Sequence, residues 1–293
     1  MYLIITDFNG FEQTRICLQS LRYSRYKEYS VVLVDHGTSD LTARCVATEF
    51  PEVERISGSP DLWWAGATNL GVRQALAQGA ERIMLLNNDC YVDPDTLSIL
   101  DELAASLPDA VIAPVQRCWR TGEITKSVVR SFFLLGFPTL VLPWKIPRTR
   151  SAGSLERVSL ISGGRGAIIA ASVFEKVGLF DEQALPHYYA DHDFFLRAND
   201  LGVPLYLASG ASVSIDDTRT SIAFQMEKMS IRDFFKSLHS IRSHRNISAI
   251  RVLFRKHYPI PGLHWAGIFL YYLRYLVVYC YKRSIAILGL SRK

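Results

Sequence analysis

The sequence predicts an α/β fold, in which the short strands of one sheet alternate along the chain with helices. Through the first 110 residues or so, apolar runs of about four to six residues alternate with longer segments that have helical periodicity. This alternation is typical of a parallel sheet covered by helices on both faces. Hydrophobic residues make up 49% and aromatic residues 12% of the 293 residues, which supplies a sizeable core and excludes disordered and collagen-like chains.

The first half of the chain can be assigned element by element. Strands are predicted over residues 2–6, 31–34, 53–56, 82–86 and 110–115. Helices are predicted between them, over residues 12–21, 40–49, 67–78 and 94–107. Ser39 or Asp40 is suited to cap the second helix, Gly79 to end the third and Pro94 to begin the fourth.

The second half shows a looser pattern. Residues 160–171 resemble a strand interrupted by glycines, residues 189–201 resemble a helix ended by Gly202, and a further strand lies near Val213. Residues 116–157 contain loop-like pieces rich in Pro and Arg and receive no assignment. From about residue 221 the pattern is helical. The expected organisation is therefore an α/β domain over residues 1–215 and a helical, basic and aromatic region over residues 216–293.

Charge and cysteine content restrict the class of protein. From residue 228 onward the chain has thirteen Lys and Arg against the single acid Asp233, a formal charge of +12, whereas the whole chain carries +5. The five cysteines show no CxxC or Cys/His spacing, which argues against a disulfide scaffold and a structural zinc site. The first residues lack the pattern of a signal peptide. A cytoplasmic protein is expected.

The basic C-terminal region has several interpretations. Residues 263–281 are almost continuously apolar and aromatic, but Arg274 lies in the middle, where a charge is costly in a membrane-spanning helix. A helix lying on an anionic membrane surface, at the inner face of the plasma membrane, fits this composition. The alternatives are packing on the body or across a homodimer, and a true span. Nucleic-acid binding is not expected, because no recognition motif accompanies the charge and the body is acidic.

Polar residues follow several predicted strands, where ligands bind in open α/β sheets. Asn9 follows the first strand, Asp35 the second, and Asn87-Asn88-Asp89 the fourth. An Asp at such a place can accept hydrogen bonds from a base or ribose, or hold a divalent cation that bridges phosphates. Each residue taken singly is also an ordinary turn residue.

Six ordered segments make the sequence resemble glycosyltransferase family 2. These are residues 4–9 (IITDFN), 32–40 (VLVDHGTSD), 64–71 (WAGATNLG), 85–89 (LLNND), 177–182 (VGLFDE) and 189–198 (YADHDFFLRA). The resemblance covers roughly residues 1–215. It implies the GT-A fold, a Rossmann-like mixed sheet flanked by helices. It also implies inverting transfer of a sugar from a dTDP- or UDP-linked donor to a hydroxyl of a glycan or polyprenyl-linked acceptor, in bacterial surface polysaccharide synthesis.

The resemblance assigns donor-binding roles residue by residue. Asp35 matches the position that reads the nucleobase, and Thr6 and Asn9 match the loop that lines the nucleoside. Asn69 matches the segment near ribose and diphosphate. Residues 163–166 match a glycine-bearing strand beside the donor sugar. Arg165 in this strand has two interpretations: it binds the diphosphate or an anionic acceptor, or it is a surface arginine in a tight turn.

The resemblance also assigns metal-binding and catalytic roles. Asn87-Asn88-Asp89 matches the Asp-x-Asp metal motif, with Asp89 as the ligand of Mg²⁺ or Mn²⁺ and Asn87 in place of the first acid. Asp216 stands where the family often has a metal-binding His, and carboxylate oxygen suits these ions. Asp191 matches the general base, while Ala190 replaces the Glu that usually precedes it.

Several nearby residues keep two interpretations. Asp193 lies two residues after Asp191 and so points elsewhere on a helix. It is either the general base in place of Asp191, or a structural residue that pairs with Arg197 or caps the helix. The tryptophans at 63 and 64 form either an aromatic wall over the donor or a core anchor. His187 contacts an acceptor or is a packing residue. The rival functions are a non-catalytic protein of the same fold and a dinucleotide oxidoreductase, which the absence of GxGxxG after the first strand disfavours.

Overall fold

The structure is a computed structural model that describes residues 1–125, 129–141, 154–216, 226 and 229–287. The chain divides into two compact units. The first unit comprises Met1–Val129, Val141–Pro186 and Ala190–Asp216, and the second comprises Arg130–Leu140, His187–Tyr189 and Asp217–Lys293. The second unit therefore also draws two short segments from within residues 1–215.

The strands and helices alternate through the first unit and give way to helices in the second. The strands are β1 (Tyr2–Asp7), β2 (Ser30–Asp35), β3 (Glu54–Ser57), β4 (Arg82–Asn87), β5 (Cys90–Val92), β6 (Val111–Cys118), β7 (Val129–Phe132), β8 (Phe137–Val141), β9 (Leu155–Val158), β10 (Ile168–Ala170) and β11 (Leu205–Ile215). The helices are α1 (Phe11–Tyr23), α2 (Leu41–Glu49), α3 (Trp63–Ala77), α4 (Thr96–Ser106), α5 (Ala171–Val177), α6 (Ala190–Asp200), α7 (Ile231–Ser237), α8 (Ile247–His257) and α9 (His264–Ile287).

One mixed sheet forms the centre of the first unit. Among the described residues its strand order is β3-β2-β1-β4-β10-β6-β11-β5, and β9 also pairs with β11. The pairs β3-β2, β2-β1, β1-β4 and β6-β11 are parallel, whereas β10 runs antiparallel to both β4 and β6. The carboxyl ends of β1, β2, β4, β6 and β11 consequently lie at one edge of the sheet, which we call the carboxyl edge.

Most of the predicted elements are confirmed, and the differences have local causes. Helix α4 begins at Thr96 with Asp95 before it, so Pro94 does not occupy the first helical position. Residues 160–167 are irregular, and only Ile168–Ala170 form a strand there. The short strand β5 and the short helix α5 were not predicted. The apolar runs alone indicated a parallel sheet and did not show that β10 is reversed. The mixed sheet that the family resemblance implied is confirmed.

Close packing against the sheet explains one glycine of α3. A Cβ added at Gly71 would lie 2.4 Å from Cγ2 of Ile4 on β1. Both Ile4 and its neighbours on β1 are buried, and the adjoining residues of β2 are buried as well. Only glycine therefore allows α3 to lie this close to the central strands.

Tyrosines anchor the inner face of α9 in the second unit. The hydroxyl of Tyr271 donates to the carbonyl of His244 at 2.8 Å, that of Tyr272 to the carbonyl of Arg245 at 2.9 Å, and that of Tyr279 to the carbonyl of Met229 at 3.1 Å. The expected helical C-terminal region is confirmed. No helix within the described residues combines the length and apolar character that crossing a membrane requires.

Candidate functional site

Asp35 is held at the carboxyl edge by a cation from the neighbouring strand. It ends β2, pairs in register with Asp7 of β1, and is only 6% exposed. Arg55 Nη1 donates to Asp35 Oδ2 at 3.1 Å, and the Gly37 N–H donates to Oδ1 at 3.3 Å. Burial raises the pKa of Asp35, although these two partners offset part of the rise. The acid predicted to read the nucleobase is thus fixed in position, with Arg55 as a partner that sequence reasoning missed.

His36 and Phe8 add an aromatic surface beside Asp35. Their ring centroids are 5.3 Å apart, and Phe8 is 36% exposed. His36 is buried, and no group among the described residues hydrogen-bonds its Nδ1. Burial lowers the pKa of His36, so the ring is neutral at pH 7. Sequence reasoning missed both side chains as site residues, although His36 directly follows Asp35.

Asn9 joins the loops that follow β1 and β2. Its Oδ1 accepts hydrogen bonds from the N–H groups of Thr38 and Ser39, both at 3.0 Å, and its Nδ2 donates to Thr38 Oγ1 at 3.0 Å. The backbone of Asn9 is left-handed, with φ 54°. Thr6, the other residue predicted to line the nucleoside, is buried in β1 between Val34 and Asn87. Asn9 therefore shapes the loop through its own amide.

Asn69 links two of the sequence motifs through hydrogen bonds inside the protein. It is fully buried on α3, and its Nδ2 donates to the carbonyl of Phe180 at 2.9 Å and to Glu182 Oε2 at 2.6 Å. Its Oδ1 accepts from the Phe180 N–H at 3.0 Å. The amide predicted to lie near ribose and diphosphate thus holds the segment at 180–182.

Asn87 and Asn88 at the end of β4 also bond within the protein. Asn88 Nδ2 donates to Asp7 Oδ1 at 2.9 Å and to Thr14 Oγ1 at 3.1 Å. Asn87 Oδ1 accepts from Trp64 Nε1 at 3.0 Å. Trp64 in turn packs edge-on against the ring of Phe180, at 5.4 Å between centroids. This contact favours the core-anchor interpretation of Trp64. Trp63 and Trp64 are both half-buried, and Trp63 keeps both interpretations.

Asp89 and Asp216, the two predicted metal ligands, are neighbours at the carboxyl edge. The Asp216 N–H donates to the backbone carbonyl of Asp89 at 2.8 Å. Asp216 Oδ2 accepts from Gln13 Nε2 at 3.1 Å and from Tyr91 OH at 3.4 Å. Burial raises the pKa of Asp89; the nearby charge of Arg165 counteracts that rise, and Asp216 adds to it.

Two adjacent carboxylates fit a hard divalent cation, which prefers oxygen ligands and commonly completes its coordination with phosphate and water. The described residues contain no group of three or more His, Cys, Asp or Glu that could hold a metal. A metal site built on Asp89 and Asp216 stays a prediction.

Arg165 and Asp191 lie against the same glycine. A Cβ added at Gly163 would lie 3.6 Å from Asp191 Oδ2 and 3.8 Å from Arg165 Cγ. Asp191 Oδ1 accepts from the His192 N–H at 2.8 Å. Burial raises the pKa of Asp191, but hydrogen bonds and charge from His192, together with the charge of Arg165, bring it below its ordinary value.

The charge of Arg165 thus acts on Asp89 as well as on Asp191. Residues that are far apart in sequence come together here because β10 runs antiparallel to its neighbours. The residues that precede β10 are thereby brought to the edge where β4 ends.

Asp193 has a structural partner, as predicted. Its carboxylate is fully buried, and Arg197 Nε donates to Asp193 Oδ2 at 2.9 Å. Arg197 also donates to the carbonyls of Val177 and Leu179, so the pair fixes the loop after α5. His187 belongs to the second unit, where its ring contacts that of Tyr188 at 4.9 Å.

Comparison with known sequences identifies a family and two relatives. The family model described as Glycosyl transferase family 2 matches residues 2–178. An uncharacterized protein of Mycobacterium tuberculosis, Rv1525, is 29% identical over 178 residues, which cover 57% of this chain and 59% of that protein. An uncharacterized protein of Mycobacterium bovis matches to the same extent. The match thus spans about three-fifths of the length of these relatives.

Comparison with solved structures identifies proteins of the same fold. The crystal structure of GalNAc-T7 with UDP, GalNAc and Mn²⁺ gives a TM-score of 0.60 at 14% identity, covering 73% of this chain and 43% of that one. The crystal structure of S. aureus TarS 1-349 gives a TM-score of 0.56 at 15% identity, covering 98% of this chain and 91% of that one. The same protein in complex with UDP-GlcNAc gives 0.55 at 14% identity. The mixed sheet has the GT-A fold, and the chain belongs to glycosyl transferase family 2.

Proposed function

We propose that the chain is an inverting glycosyltransferase, which moves a sugar from a nucleoside-diphosphate sugar to a hydroxyl of a glycan or lipid-linked acceptor. The observation that carries the proposal is that Arg165 and Asp191 lie against the same glycine, Gly163, in the segment that precedes β10 and is therefore brought to the carboxyl edge where β4 ends. A diphosphate needs cationic charge, and a hydroxyl nucleophile needs a base. Both kinds of group lie at this edge.

The nucleoside is assigned to the ends of β1 and β2. The carboxylate of Asp35 can accept the imide N–H of a uracil or thymine ring, and the exposed face of Phe8 can stack on the base. The neutral His36 adds a buried nitrogen beside them. UDP- and dTDP-sugars are therefore the proposed donors. The solved structures of GalNAc-T7 with UDP and of TarS with UDP-GlcNAc add support.

The diphosphate is assigned to Asp89, Asp216 and Arg165. The two carboxylates would hold Mg²⁺ or Mn²⁺, which when bound supplies Lewis-acid neutralisation of the charge on the diphosphate leaving group. Arg165 supplies a permanent cation whose planar guanidinium matches two phosphate oxygens at once. This arginine allows part of the leaving-group stabilisation to come from the protein itself.

Asp191 is assigned as the general base. Because its pKa lies below the ordinary value, it is ionised at neutral pH and can accept the proton of the acceptor hydroxyl. The hydroxyl oxygen then forms a bond to the anomeric carbon from the face opposite the diphosphate. The bond from that carbon to the diphosphate breaks, and the nucleoside diphosphate leaves with the electron pair. Such a single displacement inverts the anomeric configuration.

A donor screen followed by a transfer assay tests the proposal. UDP, dTDP, GDP and their sugar conjugates would be titrated into the full chain by calorimetry, with and without Mn²⁺. Uridine or thymidine nucleotides are expected to bind, and the accepted donor is then tested for transfer to lipid-linked and lipid-free glycans. Failure of every nucleotide to bind would remove the basis of the assignment.

A second candidate function is binding of a nucleotide sugar without transfer. Asn87 stands where a metal-binding acid would be expected, and its amide oxygen bonds to Trp64 rather than pointing to a ligand. This candidate predicts that a donor binds but is neither hydrolysed nor transferred, with wild-type and Asp191→Asn chains behaving alike. A difference in donor turnover between the two chains supports the transferase.

A further inference from the structure

Helix α9 exposes an apolar face besides the one that carries its tyrosine anchors. We call the residues of this face the α9 stripe: Trp265, Phe269, Leu273, Leu276, Val277 and Tyr281. Each of them is between 43% and 67% exposed. Their spacing of mostly three and four residues places them on one side of the helix. At about 1.5 Å per residue the stripe is about 24 Å long.

The stripe is uncharged because the arginine in the middle of α9 is turned away from it. Arg274 is the only charged residue between 265 and 281. Its guanidinium lies 3.9 Å from the ring centroid of Phe137, and 5.5 Å and 5.3 Å from those of Tyr271 and Tyr275. These are cation–π contacts within the second unit. The charge that argues against a spanning helix is thus kept out of the exposed face.

Cations adjoin both ends of the stripe. Arg251, Arg255 and Lys256 are exposed on α8, and the guanidinium of Arg251 lies 5.1 Å from the ring centroid of Trp265. Lys282 is exposed directly after Tyr281. Over residues 229–287 the chain has ten Lys and Arg against one acid. The apolar stripe is therefore accompanied by a strong excess of positive charge.

We propose that the α9 stripe docks on an anionic lipid bilayer, with the helix lying along the interface. Helices that bind in this way combine an apolar face with Lys and Arg, and Trp and Tyr side chains are favoured at the level of the headgroups. Trp265 and Tyr281 lie at the two ends of the stripe. A second copy of the chain is a poorer occupant, because the excess positive charge of both copies would meet across a symmetric contact. The proposal goes beyond sugar transfer and concerns where the protein works.

Vesicle flotation of the full chain tests this surface. The chain is expected to float with phosphatidylcholine vesicles that contain phosphatidylglycerol at low salt, less so at high salt, and little with phosphatidylcholine alone. The pair Phe269→Ser and Leu276→Ser should lower binding by about tenfold or more, because both side chains lose their burial in the bilayer. The matched control is the pair Tyr23→Ser and Leu201→Ser, which removes exposed apolar side chains of the first unit and should leave binding unchanged.

The contribution of charge is tested separately. Changing Arg251, Arg255 and Lys256 together to Gln should weaken binding to the anionic vesicles by about tenfold to a hundredfold at low salt, with no effect on neutral vesicles. All variants are first compared by thermal unfolding. Transfer to a short, lipid-free acceptor should be unaffected by the stripe variants, so a failure of docking can be told from a failure of the proposed reaction.

Two results would overturn the proposal. The first is a full chain that does not bind the anionic vesicles at low salt, or a control pair that weakens binding as much as the stripe pair does. The second is a dimer by light scattering that the stripe pair converts to a monomer, with no vesicle binding by either form. A second copy would then be the occupant of the stripe.

Discussion

Two aspartates of α6 should separate stability from catalysis when each is changed to Asn. The Asp193 carboxylate is 0% exposed and its partner Arg197 is 25% exposed. Removing one member of a buried ion pair costs about 3–5 kcal/mol. Arg197 keeps the carbonyls of Val177 and Leu179 as acceptors, and part of its side chain stays in water. We therefore expect a loss at or just below the lower end of that range, about 2–3 kcal/mol. For a domain of this size the melting temperature should fall by roughly 5–10 °C.

Asp191→Asn should leave stability nearly unchanged and lower the rate of transfer. The Asp191 side chain is 20% exposed, and an amide oxygen at the same place can still accept the His192 N–H. The free energy of unfolding should therefore change by less than about 1 kcal/mol. An amide cannot take a proton at neutral pH, so kcat should fall by about a hundredfold or more while donor affinity is kept.

The two variants are compared by urea unfolding and by transfer assays at 20 °C, where both remain folded. Retained turnover is expected for Asp193→Asn after correction for the folded fraction. The reasoning is refuted if Asp193→Asn unfolds like the wild type and does not turn over, while Asp191→Asn transfers sugar normally. The roles of the two acids would then be exchanged.

Further predictions concern the acids and amides around this pair. Because the folded-state pKa of Asp89 is raised, ionisation of this carboxyl destabilises the fold. Asp89→Asn should therefore raise the melting temperature at pH 7, and this gain in melting temperature should disappear below about pH 4. The same substitution should abolish Mn²⁺-dependent nucleotide binding in calorimetry. Arg165→Gln should weaken nucleotide-sugar binding about tenfold, with partial recovery in Arg165→Lys. Asn69→Ala should lower the free energy of unfolding in urea by about 2–4 kcal/mol, because the carboxylate and backbone of the 180–182 segment lose their partners. Since the pKa of Asp191 is lowered, kcat should fall only when the pH drops below the ordinary aspartate range of about 4.

The strands that build the carboxyl edge could be predicted because their signal is local. Strands β1, β2 and β4 are continuous apolar runs, and the polar residue that follows each of them is visible in the sequence. The reversal of β10 could not be predicted in this way, because strand direction depends on pairing with β4 and β6, which are remote in the chain. Strand β5 has three residues, Cys90–Val92, too few for periodicity to reveal.

The partners of the amides in the motifs could not be predicted either. Asn9, Asn69 and Asn88 lie where a donor contact is expected, and in the structure all three make hydrogen bonds that build the fold. A motif position does not tell where an amide places its donors and acceptor. These bonds explain the choice of Asn without a ligand, and a donor contact by each of the three stays a prediction. The charged groups Asp89, Arg165 and Asp191 are the residues on which the proposed chemistry depends.

The aromatic run of the C-terminal region shows how one composition can serve two purposes. Averaged along the chain, residues 263–281 combine features of a packing helix and of an interfacial helix. A buried tyrosine needs a partner for its hydroxyl, and the carbonyls of Met229, His244 and Arg245 supply partners on the inner side of α9. Phe, Leu and Val carry no polar group that needs a partner, and on α9 they occupy much of the outer face. Tyrosines with bonded hydroxyls thus lie on the inner face of α9, and Phe, Leu and Val lie on much of its outer face. Packing within the second unit therefore leaves an apolar surface exposed, on which the proposed docking depends.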